Sequence, residues 1–121
     1  MTTVFHKDLT QGKWNKFDIF NQMANIGSEF YRAVNWQKKS KKTSDQAIDR
    51  MLELIDLTID DPKNKKRLKE IVRLREVLAD LLVYDNTYRS DVEKTKNYFY
   101  TFNWAARIKH KKSLTPISSQ I

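Results

Sequence analysis

Hydrophobic residues recur at helical spacing along most of this 121-residue chain. The clearest pattern covers residues 44–59, where the apolar positions fall at i, i+3, i+4, i+7 and i+11 and share one stripe of a helix: Ile48, Met51, Leu52, Ile55 and Ile59. Similar spacing predicts three more helices, over residues 14–39, 62–84 and 91–109. No segment shows the clear alternation of a half-buried strand. The pattern therefore predicts an all-α protein.

Short polar segments separate the predicted helices, and they contain residues suited to capping helix N-termini. The candidate caps are Thr43, Ser44 or Asp45 for the second helix, an Asp directly before Pro62 for the third, and Ser90 or Asp91 for the fourth. Residues 85–87 are typical of a turn. Because short connections favour antiparallel neighbours, we expect an antiparallel up-down four-helix bundle.

The composition agrees with a single helical domain. Only two Gly and two Pro occur, which leaves little material for the many tight turns of an all-β fold. Hydrophobic residues make up 40% of the chain, enough to build one core. We expect a helical bundle domain over residues 13–112, an N-terminal arm over residues 1–12 and a flexible C-terminal tail over residues 113–121.

The formal net charge of +8 suits a polyanionic partner such as RNA or DNA. Lysines within residues 38–42 follow a helix C-terminus, where the helix dipole favours cations, so stability explains them. The cations within residues 63–69 open the third helix instead, where the dipole disfavours them. In an up-down bundle they lie at the same end as the first helix start and the fourth helix end, although Asp56, Asp60 and Asp61 dilute the charge. The candidate nucleic-acid contacts are Lys13, Lys16, Lys63, Lys65, Lys66, Arg67, Arg107, Lys109, Lys111 and Lys112.

Polar and charged residues in the middle of the first helix allow two interpretations. The first is a polar pocket between helices, collecting residues from three of them: Asn25, Glu29, Arg32, Glu53, Asp56 and Arg75. The second is close helix packing at Gly27, a residue that disfavours helix, beside an ordinary surface pair of Glu29 and Arg32. We favour the second interpretation, because no further signal indicates that this face is enclosed.

Charged residues on the second and third helices predict an ion pair but no metal. Glu53 and Asp56 have a Glu-x-x-Asp spacing, yet no second such carboxylate pair occurs on another helix, so no metal or other cofactor is predicted. Arg75 lies at core-side spacing in the third helix. If it is buried it needs a carboxylate partner, for which Glu29 and Asp56 are the candidates.

The fourth predicted helix is rich in aromatic residues, with rings at positions 98, 99, 100, 102 and 104. Consecutive positions point around the whole circumference of a helix, so one monomer core cannot cover all of these rings. Aromatic residues are enriched at protein interfaces, and exposed rings also stack on single-stranded bases. We expect a homo-oligomer, most simply a two-fold dimer, with three interface candidates: Tyr98, Tyr100 and Trp104.

Two further features of the sequence bear on where the protein works. It contains no cysteine, which excludes a disulfide framework and a cysteine nucleophile. No apolar run has the length of a signal peptide or of a membrane span. We therefore expect a cytoplasmic protein without membrane contact.

Four stretches of the chain are similar to a known signature: residues 23–29 (MANIGSE), 53–64 (ELIDLTIDDPKN), 67–70 (RLKE) and 75–76 (RE). They resemble a family of small prokaryotic all-helical proteins. The resemblance covers residues 14–108 and implies a helical fold, but it implies no activity.

The overall shape is also similar to HEPN-type four-helix bundles, the helical partners of minimal nucleotidyltransferases, some of which are ribonucleases. Catalytic members carry Arg, four to six residues, and then His. Here Arg107 and His110 have only two residues between them. The resemblance is therefore closer to a non-catalytic partner than to a ribonuclease.

These observations favour a non-catalytic helical interaction or assembly module over an enzyme. We expect it to be oligomeric, to engage a partner protein and to contact nucleic acid through a basic bundle end. The alternative is a HEPN-like or nucleotide-acting enzyme that uses the interhelical polar pocket. No Gly-rich phosphate loop supports that alternative.

Overall fold

The computed structural model describes residues 12–84 and 91–114, with side chains described as far as Ile108. Four α-helices make up most of these residues: α1 (Ile19–Trp36), α2 (Lys41–Asp60), α3 (Leu68–Leu82) and α4 (Val92–Leu114). Two 3₁₀ segments precede α1 and α3, the N-terminal turn (Trp14–Lys16) and the basic segment (Pro62–Arg67). No strand occurs in these described ranges, and the predicted all-α class is confirmed.

The predicted arm and tail fall mostly outside this description. Of the arm only Gly12 is described, and the predicted turn at residues 85–87 and residues 115–121 lie outside the described residues. Helix α4 continues to Leu114, so the first two residues assigned to the tail are helical.

Helix α1 begins later than the spacing predicts. The backbone is extended at Phe17, where ψ is 143°, so the N-terminal turn that contains Trp14 is separate from α1. The helix begins after Asp18, whose carboxylate accepts a hydrogen bond from the Asn21 amide at 2.9 Å. An extended residue followed by this cap is the ordinary start of a helix.

Side-chain caps also define the starts of the other elements. The Ser40 hydroxyl accepts a hydrogen bond from the Thr43 amide at 3.3 Å, so the cap of α2 precedes all three predicted candidates. Asp61 caps the basic segment by accepting from the Lys63 amide at 3.1 Å, as predicted for an Asp before Pro62. Asp91 accepts from the second amide of α4 at 2.7 Å, which confirms it as the cap.

One apolar face of each helix contributes to a common core. In α2 the predicted stripe faces inward, with Ile48, Met51 and Ile55 buried and Leu52 and Ile59 partly buried. The largest fully buried apolar side chains on the other elements are Trp14, Met23, Ile26, Phe30, Ile71, Leu78 and Phe99. The sequence pattern therefore predicts the core face of α2 correctly.

Helices α1 and α2 form the centre of the packing, because α1 packs against both α2 and α4, and α2 packs against both α1 and α3. The contacts of α1 with α4 pair later residues of one helix with earlier residues of the other. Phe20 lies beside Phe102, and the Tyr31 hydroxyl donates a hydrogen bond to the Lys96 carbonyl at 3.0 Å. Helices α3 and α4 scarcely contact one another, so a groove remains between them.

At Gly27, α1 and α4 approach one another closely. A Cβ atom at this position would lie 2.9 Å from the Cγ and Cδ1 atoms of Phe99. The Phe99 ring is fully buried and packs on Phe30 with ring centroids 5.6 Å apart. The predicted close helix packing at Gly27 is confirmed.

Candidate functional site

A buried polar cluster lies where α1 starts and α2 ends. It consists of five side chains that are each at most 3% exposed: Trp14, Gln22, Thr58, Asp61 and Asn64. The Trp14 indole donates to the Thr58 hydroxyl at 2.9 Å, and the Gln22 amide donates to the Asp61 carboxylate at 2.8 Å. The Asn64 amide donates to the Gln22 carbonyl oxygen at 2.8 Å. Because buried polar groups are costly without partners, this mutual pairing fixes one arrangement of the five side chains.

The polar cluster holds the N-terminal turn against the basic segment. Besides the bonds within the cluster, the Lys63 ammonium donates to the Asn15 carbonyl at 2.8 Å, which joins positions 48 residues apart in sequence. Lys63 also forms an ion pair with Asp61. Two lysine-bearing segments that are distant in sequence therefore lie side by side.

The Asp61 carboxylate remains ionised inside the polar cluster. Burial by itself raises the pKa of a carboxyl group, but hydrogen bonds from the Lys63 ammonium and the Gln22 amide outweigh this effect. The pKa of Asp61 is therefore lower than usual. Its negative charge is paired with the Lys63 ammonium, and the side chain is almost fully shielded from solvent.

The cations around the polar cluster are exposed, and most have no acidic neighbour. Arg67 lies 3.8 Å from Glu70. Four other lysines around the polar cluster are exposed and form no ion pair with any residue that the structure describes: Lys13, Lys16, Lys65 and Lys66. Together with Lys63 and Arg67 they form the basic end of the molecule.

Two of the three carboxylates expected to dilute this charge are held in ion pairs. Asp61 is buried in the polar cluster, and Asp56 forms an ion pair with Arg75, with 2.7 Å between the carboxylate and Nε. Asp60 is exposed. Of these three carboxylates, Asp61 therefore offsets the charge of Lys63, whereas Asp56 is paired with a cation outside the basic end.

The candidate contacts on α4 are described in part. Arg107 is exposed, one turn from Trp104 on the same helix. Residues 109, 111 and 112 belong to α4, but the side chains of Lys109, Lys111 and Lys112 lie outside the described part of the chain. The side chain of His110, on which the HEPN comparison depends, lies outside it too.

Four of the six candidate pocket residues form two separate ion pairs in the contacts that the structure describes. Arg32 lies 3.8 Å from Glu29 within α1, but the Glu29 side chain is only 13% exposed, so this is not the ordinary surface pair that was expected. Asp56 pairs with Arg75 between α2 and α3. The Asn25 side chain is exposed and donates to the Asn21 carbonyl in its own helix at 2.8 Å. The sixth residue, Glu53, is partly buried on α2.

Arg75 has one of its two predicted partners, but in a solvated setting. The side chains of Arg75 and Asp56 are 40% and 55% exposed, so the pair lies at the surface of the α2–α3 contact. Surface ion pairs contribute only about 0–1 kcal/mol to stability. This pair therefore does not create an enclosed chemical site.

A largely apolar groove of about 400 Å³ separates α3 from α4. The residues that line it are Glu70, Arg73, Leu74, Val77, Asp91, Lys94, Thr95 and Tyr98. The Tyr98 hydroxyl donates to the Glu70 carboxylate across the groove at 3.0 Å. Burial and this carboxylate raise the pKa of Tyr98 well above its usual range. The sequence pattern did not indicate the groove, because it arises from the spacing of two helices and not from a motif.

The aromatic residues of α4 divide into buried and exposed rings. Phe99 and Phe102 are buried, and Tyr98 packs on both of them with centroids 5.6 and 5.2 Å away. Tyr100 and Trp104 are 58% and 67% exposed. Of the three interface candidates, Tyr98 is therefore largely engaged within the chain, and two rings remain available to a partner.

The described residues contain no group of three or more His, Asp or Glu side chains arranged to hold a metal ion. Within the same ranges, no helix has the length and apolar character needed to cross a membrane. No protein-family model, curated protein or solved structure matches this chain. The functional argument consequently depends on the geometry of the chain itself.

Proposed function

We propose that this chain is a non-catalytic interaction module that binds nucleic acid through the basic end of an antiparallel up-down four-helix bundle. The observation that carries the proposal is the convergence of the N-terminal turn and the basic segment on the buried polar cluster. Its hydrogen bonds align two sets of cations that lie about 50 residues apart in sequence. A surface of lysines held by a fixed scaffold suits the regularly spaced phosphates of a nucleic acid strand.

The bundle topology is supported by the helix contacts. The connection between α1 and α2 is short, and contacts link the start of α1 to the end of α2. Contacts of α1 with α4 run in opposite sequence directions, as expected for antiparallel neighbours. With this topology, the C-terminal turns of α4 and the exposed Arg107 lie near the basic end.

The charge distribution favours a polyanionic ligand over a purely structural role. Lys63, Lys65, Lys66 and Arg67 precede the N-terminus of α3, where the helix dipole disfavours cations. Lys65 and Lys66 have no ion pair that offsets this cost in the contacts that the structure describes, and contacts with phosphates in a complex would explain their position. Lys38 and Lys39 follow the C-terminus of α1, where the dipole favours cations, and need no ligand to explain them, whereas Lys41 and Lys42 open α2 and carry the same dipole cost as the basic segment.

A pair of matched variants tests the proposal by its salt dependence. One variant replaces Lys13, Lys16, Lys65 and Lys66 with Ala, and the control replaces Lys38, Lys39, Lys41 and Lys42 with Ala. Each lowers the formal net charge from +8 to +4. The two sites are separated by the length of the 18-residue α1, about 27 Å. The readout is the affinity for labelled RNA and DNA oligonucleotides, measured by fluorescence anisotropy over a range of salt concentrations.

We expect the basic-end variant to lose affinity and to reduce the slope of log K against log salt by about 3, since each phosphate contact contributes about 0.7 for a single strand. The control should keep the slope of the wild-type protein. Equal losses in the two variants would mean that only net charge matters. Absence of binding by the wild-type protein at low salt would overturn the proposal, as would a preference for acidic vesicles over nucleic acid.

The predicted oligomeric state stays a prediction. Sedimentation velocity of the wild-type protein measures it directly. A two-fold dimer would present two basic ends to one ligand, and a monomer would leave the nucleic-acid proposal unchanged.

A further inference from the structure

Helix α4 presents a short line of exposed side chains that its core contacts do not use. Tyr100, Trp104 and Arg107 follow one another at i, i+4 and i+7, so they share one face of the helix. All three are exposed, and the residues at 97 and 101 beside them are exposed and polar. Two rings followed by a cation therefore form a narrow strip on the outside of α4, here called the ring strip.

Tyr100 of the ring strip is held in place by a contact with α1. The Tyr100 ring packs on the Tyr31 ring with centroids 5.7 Å apart. Tyr31 is itself held in place, because its hydroxyl donates to the Lys96 carbonyl on α4 at 3.0 Å. A ring that is already fixed loses little conformational freedom when it binds a flat partner.

The ring strip is too small and too polar at its edges to be the core of a stable dimer. An aromatic side chain has about 150–250 Å² to bury, so two part-exposed rings contribute about 300 Å² at most. A standard protein interface buries about 800 Å² on each partner. Two isolated rings beside polar residues and an arginine are instead typical of surfaces that stack on unpaired bases.

We propose that Tyr100 and Trp104 stack on the bases of single-stranded nucleic acid whose phosphates continue toward Arg107 and the basic end. This inference rests on the proposed function and adds the ligand class. Residues four apart on a helix are separated by about 6 Å along its axis. In a duplex each base face is covered by its neighbours, so rings at this spacing fit only bases that have been unstacked from one another.

The ring strip and the basic end lie in an order along the direction of α4 that lets one nucleic acid strand contact both. The contact of Phe20 with Phe102 brings the middle of α4 beside the start of α1, which follows the N-terminal turn. Beyond Phe102, α4 continues through Trp104 and Arg107. A strand that stacks on the two rings therefore leads along α4 toward the cations.

The test compares ring variants for binding to a single strand and to a duplex of the same sequence. Trp104→Ala and Tyr100→Ala should each weaken single-strand binding by about tenfold, a usual loss per stacked base. They should leave duplex affinity and the salt slope unchanged, because neither ring carries charge. The matched control is Trp36→Ala, which removes a 40% exposed ring at the opposite end of α1 and should alter neither affinity.

The outcomes separate the two proposals. If the wild-type protein binds neither ligand, the proposed function fails. If it binds both ligands equally and the ring variants match the wild-type protein, the basic end stands and the stacking inference is wrong. If Trp104→Ala converts a dimer into a monomer in sedimentation velocity, the rings form an oligomer contact and the inference is overturned. Unchanged helical circular dichroism in each variant shows that the fold is intact.

Discussion

At the scale of single residues, the negative charge of the Asp61 carboxylate contributes to the stability of the fold. The carboxylate accepts hydrogen bonds from Gln22 and Lys63 while it is almost fully buried. Removing one partner of such a group leaves the other partners without a bond, which usually costs about 1–3 kcal/mol. Asp61 therefore stabilises the contact between the N-terminal turn and the basic segment.

Asp61→Asn should lower the free energy of unfolding by about 1–3 kcal/mol at pH 7. The pKa of Asp61 is lowered in the folded state, so its contribution is complete above the usual carboxyl pKa of about 3.9 and is lost as the pH falls through the folded value. The difference between wild type and variant should therefore shrink below about pH 4. Urea unfolding at several pH values measures it.

The control for this prediction is Asp60→Asn, at the exposed neighbouring residue. It should change the free energy of unfolding by less than about 0.5 kcal/mol at every pH. An equal effect of the two substitutions would mean that the polar cluster does not depend on the Asp61 carboxylate.

Gly27→Ala tests the close approach of α1 to α4. Overpacking a buried site costs about 1–3 kcal/mol, which exceeds the gain of about 1 kcal/mol when Ala replaces Gly in a helix. We expect a net loss of about 1 kcal/mol in chemical denaturation. Ser28→Ala, at an exposed neighbouring position, should change stability by less than about 0.5 kcal/mol.

The cause of that loss can be checked with a double variant. Combining Gly27→Ala with Phe99→Ala should cost less than the sum of the single substitutions, because removing the Cγ and Cδ1 atoms of Phe99 makes room for the new methyl group. Additive losses would contradict a direct clash between the two positions.

Residue-level predictions succeeded where a residue type is unusual for its surroundings. Gly27 in a helix indicated close packing, and the position of Arg75 in α3 indicated a carboxylate partner, found in Asp56, although the pair is solvated and not at the core. The polar cluster was missed, although Gln22 lies one turn before Ile26 in the apolar stripe of α1. A polar residue in such a stripe signals a buried hydrogen-bond partner, but its partner Asn64 is 42 residues away and has no local signature.

At the scale of helices and their ends, the number and type of elements followed from the spacing of apolar residues. The residues at which the helices begin could not be predicted from this spacing, because several residues near the α1–α2 connection are equally able to cap a helix. Tertiary contacts decide between them. The Ser44 hydroxyl donates to the Ala33 carbonyl of α1 at 2.8 Å in a buried position, so it serves helix packing and Ser40 caps α2.

Ser40→Ala should therefore destabilise the protein by about 1 kcal/mol, the usual loss for an N-cap. Thermal unfolding followed by circular dichroism measures the change. Ser40→Asp keeps an acceptor at this position and should retain most of the stability. Asp45→Ala removes one of the caps expected from the sequence and should have little effect, and a larger loss there than at Ser40 would reverse the assignment.

At the scale of the whole molecule, the four helices differ in how many other helices they pack against. Helix α1 packs against two neighbours, whereas α3 packs on α2 and leaves Leu68 and Val72 exposed. The all-α class and the core of α2 were predictable from the sequence. The weak contact between α3 and α4 was not, because it depends on how the helices are spaced and not on any one sequence pattern.

This asymmetry predicts unequal local stability. Amide hydrogen exchange should be slowest in α1 and α2 and faster in the middle of α3, because regions with few buried apolar contacts open more readily. Exchange measured by NMR or mass spectrometry under native conditions checks this. Equal protection of α2 and α3 would show that the molecule opens as a single cooperative unit.

The long sequence separation within the polar cluster has a consequence for when the basic end exists. Four hydrogen bonds in and beside the cluster join residues 39 to 48 positions apart, so they form only after the chain between them has closed into a loop. Such contacts develop late, because the entropy of loop closure must be overcome first. A nascent or unfolded chain carries the same lysines without their alignment. A ligand that recognises the aligned cations therefore binds the folded chain in preference to the unfolded chain. Its binding stabilises the folded state against unfolding.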